Sequence, residues 1–142
     1  PEFQDRYRGL CEAQGGEGII ANPKLQIDAL NSQEAGYQAA LQLVDSGAPF
    51  DAIFAASDTI AIGAMRGLRE RGLDIPTDVA IVGFDDIPAA SLTHPPLTTI
   101  QQDYRLAGEA LVDGVLKQIR NEQVPTAVLP AKLIVRKSCG SH

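Results

Sequence analysis

The chain is poor in the residues that bind nucleic acid by stacking or by charge. Tryptophan is absent and aromatic residues make up only 5% of the 142 residues, which argues against an aromatic platform for bases. Lysine and arginine number 12 against 18 aspartates and glutamates, for a formal net charge of -6. Because attraction to phosphate backbones requires an excess of positive charge, we do not expect this chain by itself to bind DNA or RNA.

Cysteine, histidine and long apolar runs are also scarce. Cys11 and Cys139 lie far apart without metal-site spacing, which predicts a reduced, intracellular pair. The only histidines are His94 and His142, so no histidine pair is in place for zinc, and neither a metal nor a cofactor is expected. No apolar run reaches the roughly 18 to 20 residues of a membrane helix, and the first residues lack the apolar core of a signal peptide. The sequence therefore predicts a cytoplasmic protein that does not bind membranes.

Enzyme signatures are missing as well. No GxGxxG follows a predicted strand, and neither GxxxxGK[ST] nor GxSxG occurs. The glycine-rich run at 15–18 follows a helix, so it is not placed as a dinucleotide phosphate loop. A Ser-His-Asp triad would have to use His94, which two prolines follow directly. We therefore expect no catalytic residues and no enzymatic activity.

The hydrophobic pattern predicts short strands that alternate with helices. The 44% hydrophobic content is ample for one packed core. Apolar spacing and capping residues predict helices over 2–13, 32–47, 58–71 and 103–121, and a short helix opened by Pro88. Apolar runs predict strands over 50–57, 79–84 and 97–100, a weak strand around 19–20 or 25–28, and a final extended segment over 127–138. This alternation predicts an α/β fold, a doubly wound, mostly parallel sheet with helices on both faces.

Polar residues follow three of the predicted strands. They are Ser57 with Asp58, Asp85 with Asp86, and Gln101 with Gln102 and Asp103. The carboxyl ends of parallel strands meet at one edge of the sheet, where ligands bind in open α/β folds. The sequence therefore predicts a ligand site at this edge, with Asp85 or Asp86 among the contacts.

Each of these residues also has a purely structural interpretation. Asp58 and Asp86 each precede a predicted helix, where a carboxylate commonly caps the first N–H groups. Gln101 and Gln102 are typical of surface turns. Asp85 lies one residue too early for a helix cap, so it is the strongest ligand candidate of the set.

Several motifs in order resemble the LacI/GalR family of bacterial transcriptional regulators. They are ASDxxAxGA from Ala56, the loop GxxIPxDV over 72–79, VGFDD, and PPLTTIxQ ending at Gln102. The resemblance extends from RxxG at Arg6 to the final LIVRKS. Each motif is modest alone, and their order and spacing are specific.

The resemblance implies a type I periplasmic-binding-protein-like fold in which two subdomains close on a small effector, usually a sugar or another metabolite. Residues 1–102 and 131–142 would form the carboxyl-terminal subdomain, and 103–130 would cross into the amino-terminal subdomain. The remainder of that subdomain and the helix-turn-helix domain that binds operator DNA would lie outside this chain.

The resemblance also places effector contacts at Arg6, Ser57, Asp58, Asp85 and Gln102. The Arg6 guanidinium would donate to ligand oxygens and the Asp85 carboxylate would accept from ligand hydroxyls. A solvated charge on an amphipathic helix is the alternative interpretation of Arg6. Many family members carry an aromatic residue that stacks on the effector near the position of Asn31, where this chain has none.

Dimerisation surfaces of the family map to Ile62, Met65 and Leu92, which predicts a homodimer. Core packing is the alternative for Ile62 and Met65. Along the predicted helix 103–121, Leu106, Ala110, Val115 and Ile119 would cover the part of the protein outside this chain. The resemblance implies a ligand-sensing regulator, and a stand-alone periplasmic-type sugar-binding protein is the alternative function.

Overall fold

A computed structural model describes residues 2–140, so Ser141 and His142, at the end of the predicted 131–142 segment, lie outside the described residues. Four α-helices are present: α1 (Glu2–Gly16), α2 (Gln33–Asp45), α3 (Asp58–Glu70) and α4 (Tyr104–Ile119). Four strands are present: β1 (Ala52–Phe54), β2 (Ala80–Val82), β3 (Thr99–Gln102) and β4 (Ala131–Ile134). Short 3₁₀ helices occupy Pro23–Leu25, Pro88–Leu92 and Lys137–Cys139.

The strands form two pairs, β1-β2 and β3-β4, which isolated bridges join in the order β1-β2-β3-β4. β1 pairs with β2 in parallel, and β3 pairs with β4 antiparallel. Parallel bridges at Val82–Thr98 and Asp85–Gln101 join β2 to β3. The predicted α/β class is confirmed, and only the last strand runs antiparallel to its neighbour.

Two serines begin the central helices. Ser32 accepts a hydrogen bond from the Ala35 amide at the start of α2, and Ser57 accepts one from the Ile60 amide at the start of α3. The prediction that Asp58 caps α3 was therefore wrong by one residue. The cap is Ser57, whose backbone is extended, and Asp58 is already the first residue of the helix. The cap predicted at Asp86 was wrong too, since no side chain caps the 3₁₀ helix at Pro88–Leu92.

Helices α2 and α3 approach each other closely at two glycines. A Cβ atom on Gly36 would lie 2.1 Å from the Ile60 carbonyl oxygen, and one on Gly63 would lie 1.9 Å from that of Gln33. These distances are far below van der Waals contact, so the helices pack backbone to backbone. This contact fixes α3, and with it the residues at its amino end.

The core lies between this helix pair and the parallel strands. Its buried apolar side chains include Leu68, Ile81 and Leu97, each completely inaccessible to solvent. Met65 is 2% exposed and packs among them. Met65 therefore packs in the chain's own core, which was the alternative to its predicted role as a dimer contact.

The outer helices contribute little to this core. No residue of α4 is buried, and the side chains of residues 3–16 in α1 are half-buried or exposed. The weak strand predicted at 19–20 or 25–28 was wrong, because the 3₁₀ helix Pro23–Leu25 interrupts the segment and the residues around it pair with no other strand among those described. Within 2–140, no helix has the length and apolar character needed to cross a bilayer.

Candidate functional site

Three predicted effector residues meet at the carboxyl edge of the parallel strands. Arg6 donates from Nη1 to the carbonyl oxygen of Ala56, just beyond β1, and from Nη2 to Asp85 Oδ1 at 3.3 Å. Gln102, the last residue of β3, donates from Nε2 to the same Asp85 oxygen at 2.9 Å. Helix α1 and the ends of all three parallel strands therefore converge on one cluster, here called the Arg6–Asp85–Gln102 cluster.

The Arg6 guanidinium is enclosed rather than solvated. Its side chain is only 13% exposed. It lies over the Phe84 ring at 3.7 Å from the centroid, with the Phe3 ring on another side at 5.2 Å. Stacking on an aromatic face partly desolvates the cation and fixes its plane. Arg6 is thus oriented before any ligand arrives, and the alternative of a freely solvated charge is excluded.

Asp85 sits on a sharp turn of the backbone. Its φ is 113° and that of Asp86 is 54°, a conformation that side-chain-bearing residues rarely adopt. Hydrogen bonds hold the turn, because the Asp85 amide donates to the Ile100 carbonyl oxygen and the Tyr104 hydroxyl donates to the Asp85 carbonyl oxygen. The turn directs the Asp85 carboxylate to the edge, where its side chain is 22% exposed.

The Asp85 carboxylate retains capacity for a ligand. Both hydrogen bonds that it accepts from described residues end on Oδ1, which leaves Oδ2 as an acceptor for a hydroxyl or amine. Arg6 also keeps guanidinium N–H groups beyond the two that are bonded. Donors and an acceptor stand side by side, as recognition of a polyhydroxyl compound requires.

Tyr104 belongs to this site, although sequence reasoning did not identify it. Burial raises the pKa of its hydroxyl, with the charge of Asp85 as a second cause, so the hydroxyl stays protonated and remains a donor. Tyr104 is 58% exposed beside the cluster. The only signal in the sequence was its position two residues after Gln102.

Ser57 and Asp58 lie beneath the edge rather than on it. Ser57 is 1% exposed and donates to Asn31 Oδ1 at 2.7 Å. Asp58 is completely inaccessible and accepts from the Thr99 hydroxyl and from the Ile87 amide. Direct effector contacts by these two residues stay a prediction, and in this structure their polar atoms are bonded inside the chain.

Asp58 carries a perturbed carboxyl group. Burial raises the pKa of Asp58, and the hydrogen bonds from Thr99 and Ile87 act in the opposite direction. Its two oxygens bind the loop after β2 to β3 and so support the turn at Asp85. Asp58 is therefore a positioning residue.

Asp86 is used to hold the end of the chain. It accepts from Arg136 Nη2 at 2.6 Å and from Gln101 Nε2 at 2.7 Å. Arg136 also donates to the Leu97 carbonyl oxygen. This largely buried ion pair leaves Asp85, and not Asp86, as the carboxylate open to a ligand.

The candidate dimer residues differ in exposure. Leu92 is 83% exposed, Ile62 is half-buried against the core and Met65 is buried. Only Leu92 presents most of its side chain to a partner. Within residues 2–140 no group of three or more His, Cys, Asp or Glu side chains is arranged to hold a metal ion, and both cysteines are free.

Sequence relatives are regulators of transcription. The chain is 40% identical over 136 residues to the HTH-type transcriptional regulator MalR of Streptomyces coelicolor, covering 94% of this chain and 39% of that protein. It is 31% identical over 139 residues to the HTH-type transcriptional repressor PurR of Pasteurella multocida, covering 96% of this chain and 42% of that protein. The chain thus spans well under half the length of these curated relatives.

Solved structures agree with the sequence relatives. A complex of the transcriptional regulator CelR with cellobiose superposes with a TM-score of 0.89 at 33% identity, over 94% of this chain and 41% of that one. A Lac repressor bound to ONPG gives 0.88 at 34% identity, over 95% and 41%. The family model described as a periplasmic binding protein-like domain matches residues 1–139. The relatives are LacI-type transcriptional regulators, and the chain itself belongs to the family of periplasmic binding protein-like domains.

Proposed function

We propose that the chain is the ligand-sensing part of a LacI-type transcriptional regulator and that it binds a small polyhydroxyl effector at the Arg6–Asp85–Gln102 cluster. The observation that carries the proposal is the oriented Arg6 guanidinium beside the Asp85 carboxylate, whose hydrogen bonds from described residues all end on Oδ1. A sugar hydroxyl both donates and accepts, so it satisfies Asp85 Oδ2 and Arg6 together. An apolar guest would leave both groups without partners.

A sugar is the favoured effector class. Relatives include the lactose operon repressor of Escherichia coli and the ribose operon repressor of Haemophilus influenzae, and the CelR structure holds cellobiose. The exposed Tyr104 ring beside the cluster offers an aromatic face for a sugar ring, in place of the one missing near Asn31.

The effector site is completed by a second subdomain in this proposal. Residues 1–102 and 131–142 form one subdomain, and 103–130 crosses into the other. Support comes from an exposed apolar row on α4 that an isolated surface helix would not carry, namely Leu111, Val112, Val115, Leu116 and Ile119. Closure of the two subdomains on the effector would shift the population between DNA-binding and non-binding states.

Operator DNA is bound by a helix-turn-helix domain outside this chain. The net charge of -6 fits this division, because the sensing part would repel phosphates. The regulator acts as a homodimer in the cytoplasm and has no enzymatic activity. Leu92 is the exposed contact that we assign to the dimer interface.

A substitution at Asp85 tests the site directly. The longer regulator that carries this chain is screened against sugars and sugar phosphates by thermal shift. Asp85→Ala should abolish the shift caused by the best ligand. Asp51→Ala removes an equal charge at the amino end of β1, where the side chain is exposed, and should leave the shift unchanged. An undiminished response in Asp85→Ala would remove this cluster from the effector site.

A further inference from the structure

The turn that presents the Asp85 carboxylate has a backbone conformation that its surroundings must hold. Asp85 has a φ of 113° and Asp86 a φ of 54°. Residues with side chains adopt positive φ at a cost in free energy, so two in succession persist only where other contacts fix them. The groups that hold this turn therefore decide what fraction of the molecules presents Asp85 to an effector.

The Asp86 half of the turn is held by an ion pair that is shielded from water. Arg136 donates from Nη2 to Asp86 Oδ1 at 2.6 Å, and the two side chains are only 19% and 11% exposed. A charge-assisted hydrogen bond in such a place is strong and little screened by salt. Gln101 donates to the other carboxylate oxygen at 2.7 Å. Both oxygens of Asp86 are thus bonded, and its side chain is fixed.

Arg136 is itself anchored to the buried part of the chain. Its Nη1 donates to the Leu97 carbonyl oxygen at 2.8 Å, and its backbone amide donates to Thr98 Oγ1 at 2.8 Å. Leu97 is completely inaccessible to solvent and Thr98 is 2% exposed. One side chain therefore connects the strained turn to the most rigid part of the fold.

The Asp85 half of the turn is held by groups of the effector site itself. Arg6 and Gln102 donate to the Asp85 carboxylate, and the Tyr104 hydroxyl donates to its carbonyl oxygen. An effector that binds Arg6 and Asp85 would alter these contacts. Among the described residues, Arg136 makes no hydrogen bond to any of these four. Its hold on the turn is therefore independent of the effector.

We propose that Arg136 is a positioning residue of the effector site, which acts through Asp86 to keep the turn at Asp85 in its effector-binding conformation without touching the effector. The apparent Kd equals the intrinsic Kd divided by the fraction of molecules in the binding-competent conformation. Loss of the ion pair lowers that fraction, because the turn relaxes from positive φ. This inference rests on the proposed function and adds a residue to it.

Substitution of Arg136 in the longer regulator tests the inference. Arg136→Met removes the charge and keeps a long side chain, and the Kd of the best sugar should rise at least about tenfold, as expected if at most a tenth of the molecules keep the binding conformation. The titration is done by calorimetry at a temperature where circular dichroism shows each variant folded. Arg136→Lys retains a cation opposite Asp86 and should recover part of the lost affinity. A parental Kd for Arg136→Met, with only Tm lowered, would overturn the proposal.

A matched control separates positioning from stability. Arg71 forms two hydrogen bonds to Asp45, at 3.0 and 2.8 Å, and neither residue belongs to the effector site. Arg71→Met breaks this pair by the same chemical change, so it should leave Kd unchanged even where it lowers Tm. An equal rise in Kd for both arginine variants would mean that general destabilisation weakens binding, and would overturn the positioning role.

A double variant guards against a folding defect. Arg136→Met leaves the largely buried Asp86 carboxylate without its cation, which is strongly destabilising. Asp86→Asn combined with Arg136→Met removes the same ion pair without that unpaired charge. It should show the same rise in Kd of at least about tenfold. A double variant that binds the sugar with the parental Kd would overturn the inference.

Failure of this inference differs from failure of the proposed function. If Asp85→Ala abolishes the response to sugar while the Arg136 variants bind with the parental Kd, the effector site stands and the positioning role alone is wrong. If Asp85→Ala responds as the parent does, the proposed site is wrong and the role of Arg136 falls with it.

Discussion

At the scale of single residues, the chain separates two adjacent carboxylates into two tasks. Asp86 pairs with Arg136 and Gln101 and holds the end of the chain in place. Asp85 is turned outward by a positive φ and keeps one oxygen free. Neither task follows from the dipeptide itself. They differ because Arg136 approaches Asp86 whereas Arg6 approaches Asp85.

The Tyr104 hydroxyl should strengthen effector binding by holding the Asp85 turn. Tyr104→Phe removes its hydrogen bond to the Asp85 carbonyl oxygen, which is worth about 1 kcal/mol. We expect the Kd of the best sugar to rise about fivefold in calorimetric titration of the longer regulator. Tyr37→Phe removes a hydroxyl that donates to Glu70 on α3 and should leave Kd unchanged. A Kd that is the same in both variants would contradict the positioning role.

Asp58 should make folding less favourable as pH rises. Its folded pKa is raised by burial, so the folded state holds the proton more tightly than the unfolded state does. The free energy of unfolding therefore falls as pH increases from the ordinary aspartate pKa, about 4, through the raised value. Asp58→Asn cannot titrate, so the unfolding free energy of the variant minus that of the parent should increase with pH in urea denaturation.

Asp45 supplies a control of opposite sign. Its pKa is lowered by its hydrogen bond from Arg71, so its contribution to stability appears as pH rises and is lost as pH falls through the lowered value. For Asp45→Asn the unfolding free energy relative to the parent should therefore decrease with pH. If the unfolding free energies of both variants, each relative to the parent, changed in the same direction with pH, the opposite pKa shifts would be contradicted.

At the scale of elements, local patterns predicted most helices, and long-range contacts decided the rest. The bounds of α2 and α3 follow from Ser32, Ser57 and apolar spacing, all of which are local signals. The antiparallel direction of β4 is set by its pairing with β3 on the far side of α4, which no local pattern encodes. The burial of Asp58 depends in the same way on Thr99.

The candidate site was predictable to a similar degree. Arg6, Asp85 and Gln102 were identified because their motifs resemble a family and two of them follow strands. Ser57 and Asp58 follow a strand as well, but their side chains are buried and bonded to Asn31 and Thr99. Tyr104 was missed because its hydroxyl reaches Asp85 only after the chain folds.

The contact between α2 and α3 should not tolerate a methyl group. Gly63→Ala places Cβ 1.9 Å from the Gln33 carbonyl oxygen, so the helices must separate, and we expect a loss of about 3 kcal/mol in urea unfolding. Gly108→Ala adds the same methyl in α4, where nothing lies within 4 Å, and should stabilise by up to about 1 kcal/mol through helix propensity. Equal effects at both positions would contradict the close contact.

At the scale of the whole molecule, the chain exposes apolar surface in separate places. The apolar row on α4 lies on a helix that has no buried residue. Leu92 instead lies in the 3₁₀ helix after β2 and is 83% exposed. Surfaces of this kind are typical of faces that other parts of a protein or other copies cover. The α4 row and Leu92 therefore correspond to different contacts.

Leu92 should contribute to dimerisation without contributing to folding. In a two-fold interface each substitution acts twice, and burying one leucine side chain is worth about 2 kcal/mol. Leu92→Asp should therefore weaken dimerisation of the longer regulator at least about a hundredfold in sedimentation equilibrium, with little change in Tm. Leu30→Asp alters an equally exposed leucine at 82% and should leave the dimer intact. If Leu92→Asp remained dimeric over the same protein concentrations as the parent, the interface would lie on another face of the molecule.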